Sequence, residues 1–479
     1  MDSVKIKKSI VPLDGIADHP ILRQIGEIAD ALSLETYVVG GFVRDLFLGR
    51  VAKDIDIVCV GNSMLLAQAV AQYKGVPVTF FKRFGTAMLQ WDEWGLEFIS
   101  ARKESYVLTS RHPSVSTGTL ADDQMRRDFT INAMAVSLNN RDYGALVDPF
   151  NGQSDLMDGL IRTPCNPYQT FSDDPLRIMR AIRLSTQLHF TIVPETWVAI
   201  TAVRDRLGIV AQERISEELH KIIMTDRPSY GFKLLFDANL LSLVLPELHD
   251  LAGKEQIGCH SHKDNFFHTL EVLDNLAHHS DKLWLRWAAV LHDIAKPLTK
   301  RFDPIHGFSF HGHEEQGAKM LPKLFKRMRF PITKEVLGYV QKLVRLHLRP
   351  IALAKEVTDG AIRRLLYEVG DDLEDLFLLC RADITSKNEA KVQQYLANFD
   401  RVQQRVWEVE ARDKIRNFQP VITGQIIIQT FGLKPSPQVG LIKKAVKEAI
   451  LEGTIKNRYE EAFDYMLMVG KQYGLSQPG

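Results

Sequence analysis

The chain has 479 residues, room for several domains, and its 60 basic residues face 59 acidic ones. That balance excludes a global electrostatic field, so any nucleic-acid contact must come from local basic surfaces. Four scattered cysteines (Cys59, Cys165, Cys259, Cys380) with no CxxC pair exclude a disulfide framework or a zinc ribbon, and no apolar run is long enough to span a bilayer; a soluble cytoplasmic protein is expected.

In chain order, a helix is predicted after Pro20 (ILRQIGEIADAL), then a strand ending at Tyr37 to Val39. Gly40 and Gly41 follow as a turn in which backbone N–H groups can approach a ligand with no Cβ in the way, and a short helix over Val43 to Leu48 places that turn at a helix start, which favours phosphate. Lys53 to Val60 (KDIDIVCV) alternates polar and apolar, so Asp54 and Asp56 share one strand face and Ile55 and Ile57 the other. Two carboxylates on one face suit shared divalent ions. A DxD alone equally fits a solvated strand edge; with Gly-Gly and Arg44 upstream, the spacing points to a metal-bound triphosphate. A helix over Ser63 to Tyr73 and strands over Pro77 to Phe81, Thr86 to Trp91 and Leu96 to Ser100 complete a small α/β unit. Glu97 is either a third carboxylate beside the pair or a surface residue of an edge strand.

Residues 101 to 121 are polar and aperiodic and are expected to form a mobile loop. In DDQMRRDFTINAMA (Asp122 to Ala135), Arg126 and Arg127 offer guanidinium forks for phosphate oxygens, and Asp128 and Asn132 are four apart on a predicted helix. In DDPLRIMRAIR (Asp173 to Arg183), Asp173 or Asp174 is expected to cap a helix bearing Arg177, Arg180 and Arg183. A carboxylate accepts from the exocyclic amino group common to cytosine and adenine, and an arginine donates to a ring nitrogen or carbonyl; such a pair accepts C and A and rejects U and G. The acids of Glu213 to Glu217 (ERISE) are expected to brace this helix. From about residue 240, His268, His292-Asp293, His311, His313, His347 and Asp383 punctuate helical segments, and residues 391 to 479 are helical and dotted with lysine and arginine.

GGFVRDLFLGRVAKDIDI, RRDFTINA and DDPLRIMRAIR resemble the signatures of the bacterial and eukaryotic type of CCA-adding enzymes and of bacterial poly(A) polymerases. H…HD…D resembles the HD phosphohydrolases, whose domain some CCA-adding enzymes carry. The resemblance implies a mixed, mainly α fold: a small α/β nucleotidyltransferase head (1–160), a helical neck with a nucleotide-selecting helix (161–245), an HD-type helical domain (246–390) and a helical tRNA-binding tail (391–479). It implies addition of CCA to the 3′ end of tRNA from CTP and ATP, with magnesium on Asp54 and Asp56, Glu97 as a further catalytic carboxylate, and Gly41, Arg44 and Arg127 on the triphosphate. Asp174 and Arg177 would select the base, with Arg180 and Arg183 as further nucleotide contacts. In the HD domain it implies a divalent metal of unassigned identity on His268, His292, Asp293 and Asp383, with His313 and His347 for a second metal or a substrate phosphate, and a phosphohydrolase activity there. A loop such as Ser110 to Leu120 is associated in this family with the switch from adding C to adding A. A poly(A) polymerase, an A-adding or CC-adding specialist, and an HD phosphohydrolase with an RNA-binding head stand as alternatives. The first is disfavoured because the chain ends in LSQPG without a basic extension, and the CC-adding form because the loop is present. Partners expected are tRNA, CTP and ATP, with no membrane and no stable protein partner.

Overall fold

The computed structural model describes residues 19–81, 85–105, 114–254, 256–257, 260–261, 264–353, 358–386, 388–416 and 418–477. Two compact units divide the chain, one made of residues 1–225 and 230–244, the other of 226–229 and 245–479. The expectations placed on Cys259, on the final Pro-Gly and on the centre of the 101–121 loop fall outside the described residues.

The first unit is built on a seven-stranded sheet. In chain order its elements are α1 (Pro20–Ala31), β1 (Glu35–Val39), α2 (Gly41–Phe47), β2 (Asp54–Val60), α3 (Ser63–Lys74), β3 (Val78–Phe81), β4 (Thr86–Trp91) and β5 (Trp94–Ser100). There follow β6 (Arg102–Ser105), β7 (Ser114–Thr117), α4 (Leu120–Met125), β8 (Ala135–Ser137) and β9 (Leu146–Val147). The sheet order is β3-β4-β5-β2-β1-β8-β9, with β2 and β5 parallel and the other neighbours antiparallel. Alternation sets the two faces: Ile55, Ile57, Leu96 and Phe98 are buried, with Leu66 and Val70 of α3 buried where that helix packs on β4 and β5. Each such side chain contributes roughly 1.5–3 kcal/mol on burial. The start of α3 is set by Asn62, whose side chain accepts from the amides of Met64 and Leu65, and its end by Gly75 in the left-handed region.

Two expectations change here. The stems of the 101–121 segment are not irregular: β6 and β7 pair antiparallel from Arg102 with Thr117 to Ser105 with Ser114. Asp128 and Asn132 do not share a helix. A capping box between Thr119 and Asp122 starts α4, which ends at Met125, and Asn132 closes a separate 3-10 turn, Thr130–Asn132. The Asp128 carboxylate accepts from the Phe129 amide at 2.9 Å, a local bond that competes with helix propagation.

The same unit continues as helices: α5 (Gly152–Asp158), α6 (Pro167–Asp173), α7 (Leu176–Leu188), α8 (Pro194–Val203) and α9 (Gln212–Ile223). α7 packs on α9 and α6 on α8 around a core that includes Phe171, Ile178, Met179, Ile182 and Leu219.

The second unit is helical apart from short two-stranded pairs. α10 (Asn265–Ala277), α11 (Leu283–Leu291), α12 (His313–Met328), α13 (Tyr339–Leu346), α14 (Asp359–Val369) and α15 (Leu373–Asp383) surround Trp287, Leu291, Phe325 and Leu379. The long α16 (Glu389–Asp413) leads to α17 (Gly424–Phe431), α18 (Pro437–Glu452) and α19 (Tyr459–Gln472), which close over their own apolar cluster of Ile422, Ile427, Ile442, Val446 and Met466. Arg364 on α14 reaches Glu448 at 3.0 Å and Arg363 reaches Asp413 at 2.7 Å, joining this tail to the bundle before it. None of the helices among the described residues is long and apolar enough to cross a membrane, and the three described cysteines are free.

Candidate active site and metal centre

Strand register decides which head residues meet. Asp56 lies opposite Glu97 across the parallel β2–β5 pair, and Asp54 lies opposite Gly95. The glycine matters there, because a Cβ at position 95 would stand 2.9 Å from Oδ1 of Asp54. On the other side, Gly40 turns the chain at φ +77°, and a Cβ on it would stand 2.9 Å from Oδ2 of Asp56 and 3.2 Å from Nη1 of Arg127. Burial raises the Asp56 carboxyl above the usual range, with Arg127 opposing the shift and Asp54 adding to it. Burial raises Glu97 as well, and Asp56 beside it acts in the same direction. Carboxylates crowded so that protonation becomes easier are a setting that a cation relieves.

A cleft of about 550 Å³ opens over this face. Of the expected residues it gathers Asp56, Glu97, Arg127, Asp174, Arg177 and Arg180, together with Arg126 and Asp128. Arg102, Arg214 and the side chains of Phe81, Thr86, Met88 and Ile99 also line it. Asp123 aims the arginine pair: it is fully buried, lies 3.0 Å from both Nε and Nη2 of Arg127, and also bonds Arg126. Although burial opposes it, the charges of Arg127 and Arg126 hold the Asp123 carboxyl below its usual value. Its position three and four residues ahead of those arginines is a signal that the sequence reading passed over.

Asp174 accepts from the Leu176 amide at 3.2 Å and stands 3.9 Å from Nη2 of Arg214, but the N-cap of α7 is Pro175 rather than the expected aspartate; Asp174 closes α6. Arg177 donates to the carbonyl of Arg126 at 2.6 Å. Arg180 donates to Asp128, and Asp128 accepts in turn from Asn132 at 3.1 Å.

Four expected residues do not line the cleft. Asp54 is exposed beside it. Gly41 opens α2 next to the guanidinium of Arg44. Arg44 is buried and braced by Asp45 at 2.9 Å and by the Asn132 side chain at 2.8 Å, so it supports the site from below. Arg183 is turned to Glu218 on α9 at 2.5 Å, one residue beyond the ERISE segment expected to brace the helix.

The second unit holds a separate cluster. His268 comes from α10, His292 and Asp293 follow α11, His313 opens α12, His347 follows α13 and Asp383 ends α15. Ligand atoms of His268, His292 and Asp383, and of His292, Asp293 and His347, lie within 4.8 Å of one another. His292, His313 and His347 each have Nδ1 at 2.7 Å from a backbone carbonyl three residues back (Ala289, Phe310 and Val344). That contact puts a proton on Nδ1 and presents Nε2 to the cluster, where among the described residues it has no aligned hydrogen-bond partner. His268 meets Thr385 Oγ1 at 2.9 Å through Nδ1 and Asp383 at 2.9 Å through Nε2. Asp293 has Oδ2 at 3.2 Å from His292 and Oδ1 at 3.2 Å from His313. Against its complete burial, Asp293 and Asp383 raise the His292 ring to about 10, so the carboxylate pair draws positive charge to this spot. Buried imidazole Nε2 atoms converging on two carboxylates fit a divalent metal. His311 is exposed.

A sheet that presents paired carboxylates to an arginine-lined cleft, followed by a helix start offering a carboxylate and arginines to the same cleft, defines a nucleotidyltransferase, here carried with a helical HD-type domain. Comparison with known proteins agrees. Residues 36–162 match the poly A polymerase head domain, 189–251 the family described as "Probable RNA and SrmB- binding site of polymerase A", and 265–388 the HD domain. The chain is 32% identical over 431 residues to the A-adding tRNA nucleotidyltransferase of Deinococcus radiodurans, covering 87% of this chain and 92% of that one. It is 30% identical over 449 residues to the CC-adding tRNA nucleotidyltransferase of Thermus thermophilus (90% and 93%) and 32% identical over 367 residues to the multifunctional CCA protein of Nitrosococcus oceani (74% and 86%). Among solved structures it resembles a tRNA nucleotidyltransferase complexed with a primer tRNA and an incoming ATP analog, at TM-score 0.57 and 25% identity over 79% of this chain and 99% of that one. The chain belongs to the tRNA nucleotidyltransferase family. The nucleotidyltransferase and HD families generally use divalent metals.

Proposed function

We propose that the enzyme completes the 3′ end of tRNA by adding C, C and A from CTP and ATP, without a nucleic-acid template and with release of pyrophosphate. The observation that carries this reading is that one cleft brings together Asp56, Glu97, Arg127, Asp174 and Arg177. The terminal hydroxyl of tRNA attacks the α-phosphorus, the new P–O bond forms as the bond to the β-phosphate oxygen breaks, and the hydroxyl proton passes to Glu97. Arg127, aimed by Asp123, and Arg126 hold the triphosphate; Arg180 fixes Asp128 and Arg44 fixes Asn132 beneath it. Asp174 accepts from the amino group of C or A, and Arg177 exchanges its bond to the Arg126 carbonyl for one to the base. Asp54 and Asp56 would hold magnesium, which when bound supplies Lewis-acid stabilisation of the phosphoryl oxygens.

The division into head (1–160), neck (161–245), HD domain (246–390) and tRNA-gripping tail (391–479) is part of this proposal, as is action in the cytoplasm. His268, His292, Asp293 and Asp383 would hold a divalent metal for phosphohydrolysis, with His313 and His347 toward a second metal or the substrate phosphate. A reading as an A-adding specialist is favoured by the Deinococcus relative. Incubation of a tRNA lacking its 3′ end with each labelled nucleotide, singly and combined, separates these. Two C residues and one A, then a stop, are expected; A only after a supplied CC end would select the specialist, and long A tracts would select a polymerase.

A further inference from the structure

The sheet face that carries the carboxylates continues beyond them. Met88 on β4 pairs with Glu97 on β5, which pairs with Asp56 on β2. In the next row of the same face, Phe81 pairs with Thr86, Thr86 with Ile99 and Ile99 with Val58. Met88 and Phe81 are large apolar side chains on strands, yet they are 44% and 42% exposed, and with Thr86 and Ile99 they line the cleft. The cleft therefore has two chemically different sides on either side of Asp56 and Glu97. Arg127 stands beside Gly40 and Asp56 on one side, the strands beyond Glu97 bring Phe81, Thr86, Met88 and Ile99 to the other, and Arg102, just past the end of β5, also lines the cleft.

Phosphoryl transfer proceeds with attacking and leaving oxygens roughly in line. Arginines that hold the triphosphate draw the departing pyrophosphate to their side, so the attacking hydroxyl must arrive from the other. The group delivering that hydroxyl is a nucleoside at the end of an RNA strand, flat and apolar on its base faces and followed by a phosphate. An exposed aromatic ring and a thioether match the former, and a guanidinium matches the latter.

We propose that Phe81, Met88 and Ile99 form the seat of the acceptor strand's terminal nucleoside, with Phe81 and Met88 covering its base and Arg102 facing its phosphate. The inference rests on the transfer reaction proposed above and adds the place of its second substrate.

The test uses the full-length enzyme, tRNA ending in CC, and ATP. Phe81→Ala and Met88→Ala alter exposed side chains and are expected to leave folding intact. Each is expected to raise KM for the tRNA about tenfold, as loss of base stacking does, with KM for ATP unchanged and Phe81→Tyr restoring it. An acceptor with an abasic terminal residue should cost the wild type a similar factor, and Phe81→Ala should then cost little more. A rise in KM for ATP instead, no change in either KM, or losses from variant and abasic end that simply multiply would overturn the subsite. If the wild type extends no tRNA, the proposed reaction fails and the subsite with it, a result distinct from an active wild type with indifferent variants.

Discussion

Oδ2 of Asp128 receives both Nε and Nη2 of Arg180, at 2.7 and 2.6 Å, so the residue after the RR pair is tied to the helix that carries Arg177 and begins just after Asp174. The contact extends inward: Asn132 donates to Asp128 and accepts from Arg44, which Asp45 also holds. Burial works against an ionised Asp128, but Arg180 and the Asn132 hydrogen bond hold its carboxyl well below the usual range. The helix that carries Arg177 and Arg180 is thus joined by one chain of polar contacts to Asn132 and Arg44 beneath the cleft.

Removing Asp128 leaves the buried Asn132 side chain unmatched, while the guanidinium of Arg180, about a third exposed on the cleft, keeps access to water. Asp128→Ala is expected to destabilise the first unit by about 1–3 kcal/mol, seen as an earlier thermal transition. The carboxyl is depressed in the folded state, so its contribution is complete above the unfolded value near pH 4 and is lost as pH falls from there toward the lower folded value. The gap between wild type and Asp128→Asn should accordingly be wide at pH 7 and narrow below about pH 4; a gap that stays constant with pH refutes the assignment.

Asp54→Ala and Asp56→Ala are expected to lower nucleotide incorporation by on the order of 10³-fold or more, since several kcal/mol of transition-state stabilisation depends on the ions they would hold. Any phosphatase activity of the HD domain should survive both changes, because the residues proposed for it lie in a separate cluster. Loss of the phosphatase with retention of incorporation would reverse the assignment of activities.

Gly95→Ala separates function from stability. The residue has no left-handed backbone to strain, and the added methyl crowds the end of the Asp54 side chain, 2.9 Å away, while Gln90 Oε1 stands at an ordinary contact distance of 3.8 Å. Stability should change by no more than about 0.5 kcal/mol, while kcat drops at least about tenfold because Asp54 is displaced. Equal activity in the variant would mean that the position of Asp54 is not critical.

What could be read beforehand follows the range of the interactions. The alternation of Lys53 to Val60 set Asp54 and Asp56 on one face, and the predicted strands 77–81, 86–91 and 96–100 fall on β3, β4 and β5. Local pattern could not say that Glu97 faces Asp56, because that depends on a parallel register between strands some 40 residues apart. The same register brings Met88 and Phe81 to the cleft, and neither side chain carries chemistry that would single it out. Nor could local pattern show that Arg44 is buried, because one of its two braces, Asn132, is 88 residues away. The four histidines were legible by type and order, but the shared device that exposes their Nε2 atoms, in three of them a carbonyl at i−3, is a property of helix ends.

Asp174→Ala should weaken selection of C and A over U and G by on the order of 10²-fold or more, as happens when a hydrogen-bonding pocket loses its discriminating group. Misincorporation measured with each single nucleotide is the readout. Unchanged discrimination would move the selecting role away from this carboxylate.

Thr385 supplies the last prediction. Its hydroxyl lies 2.9 Å from Nδ1 of His268, the one histidine of the cluster whose Nδ1 contact is a side chain rather than a backbone carbonyl. A partner in that position fixes the tautomer and the ring orientation with which Nε2 meets the metal, and its loss typically weakens metal affinity by about 10- to 100-fold. Thr385→Val keeps the shape and removes the hydroxyl, so the retained divalent metal, measured after dialysis by elemental analysis, should fall to a similar degree. The measurement is made on the Asp54→Ala, Asp56→Ala background, so that no ion at the head contributes. Nucleotide incorporation by Thr385→Val alone should match wild type, because the head draws on separate carboxylates. Equal metal retention with and without the hydroxyl would show that His268 is oriented by its bond to Asp383 alone.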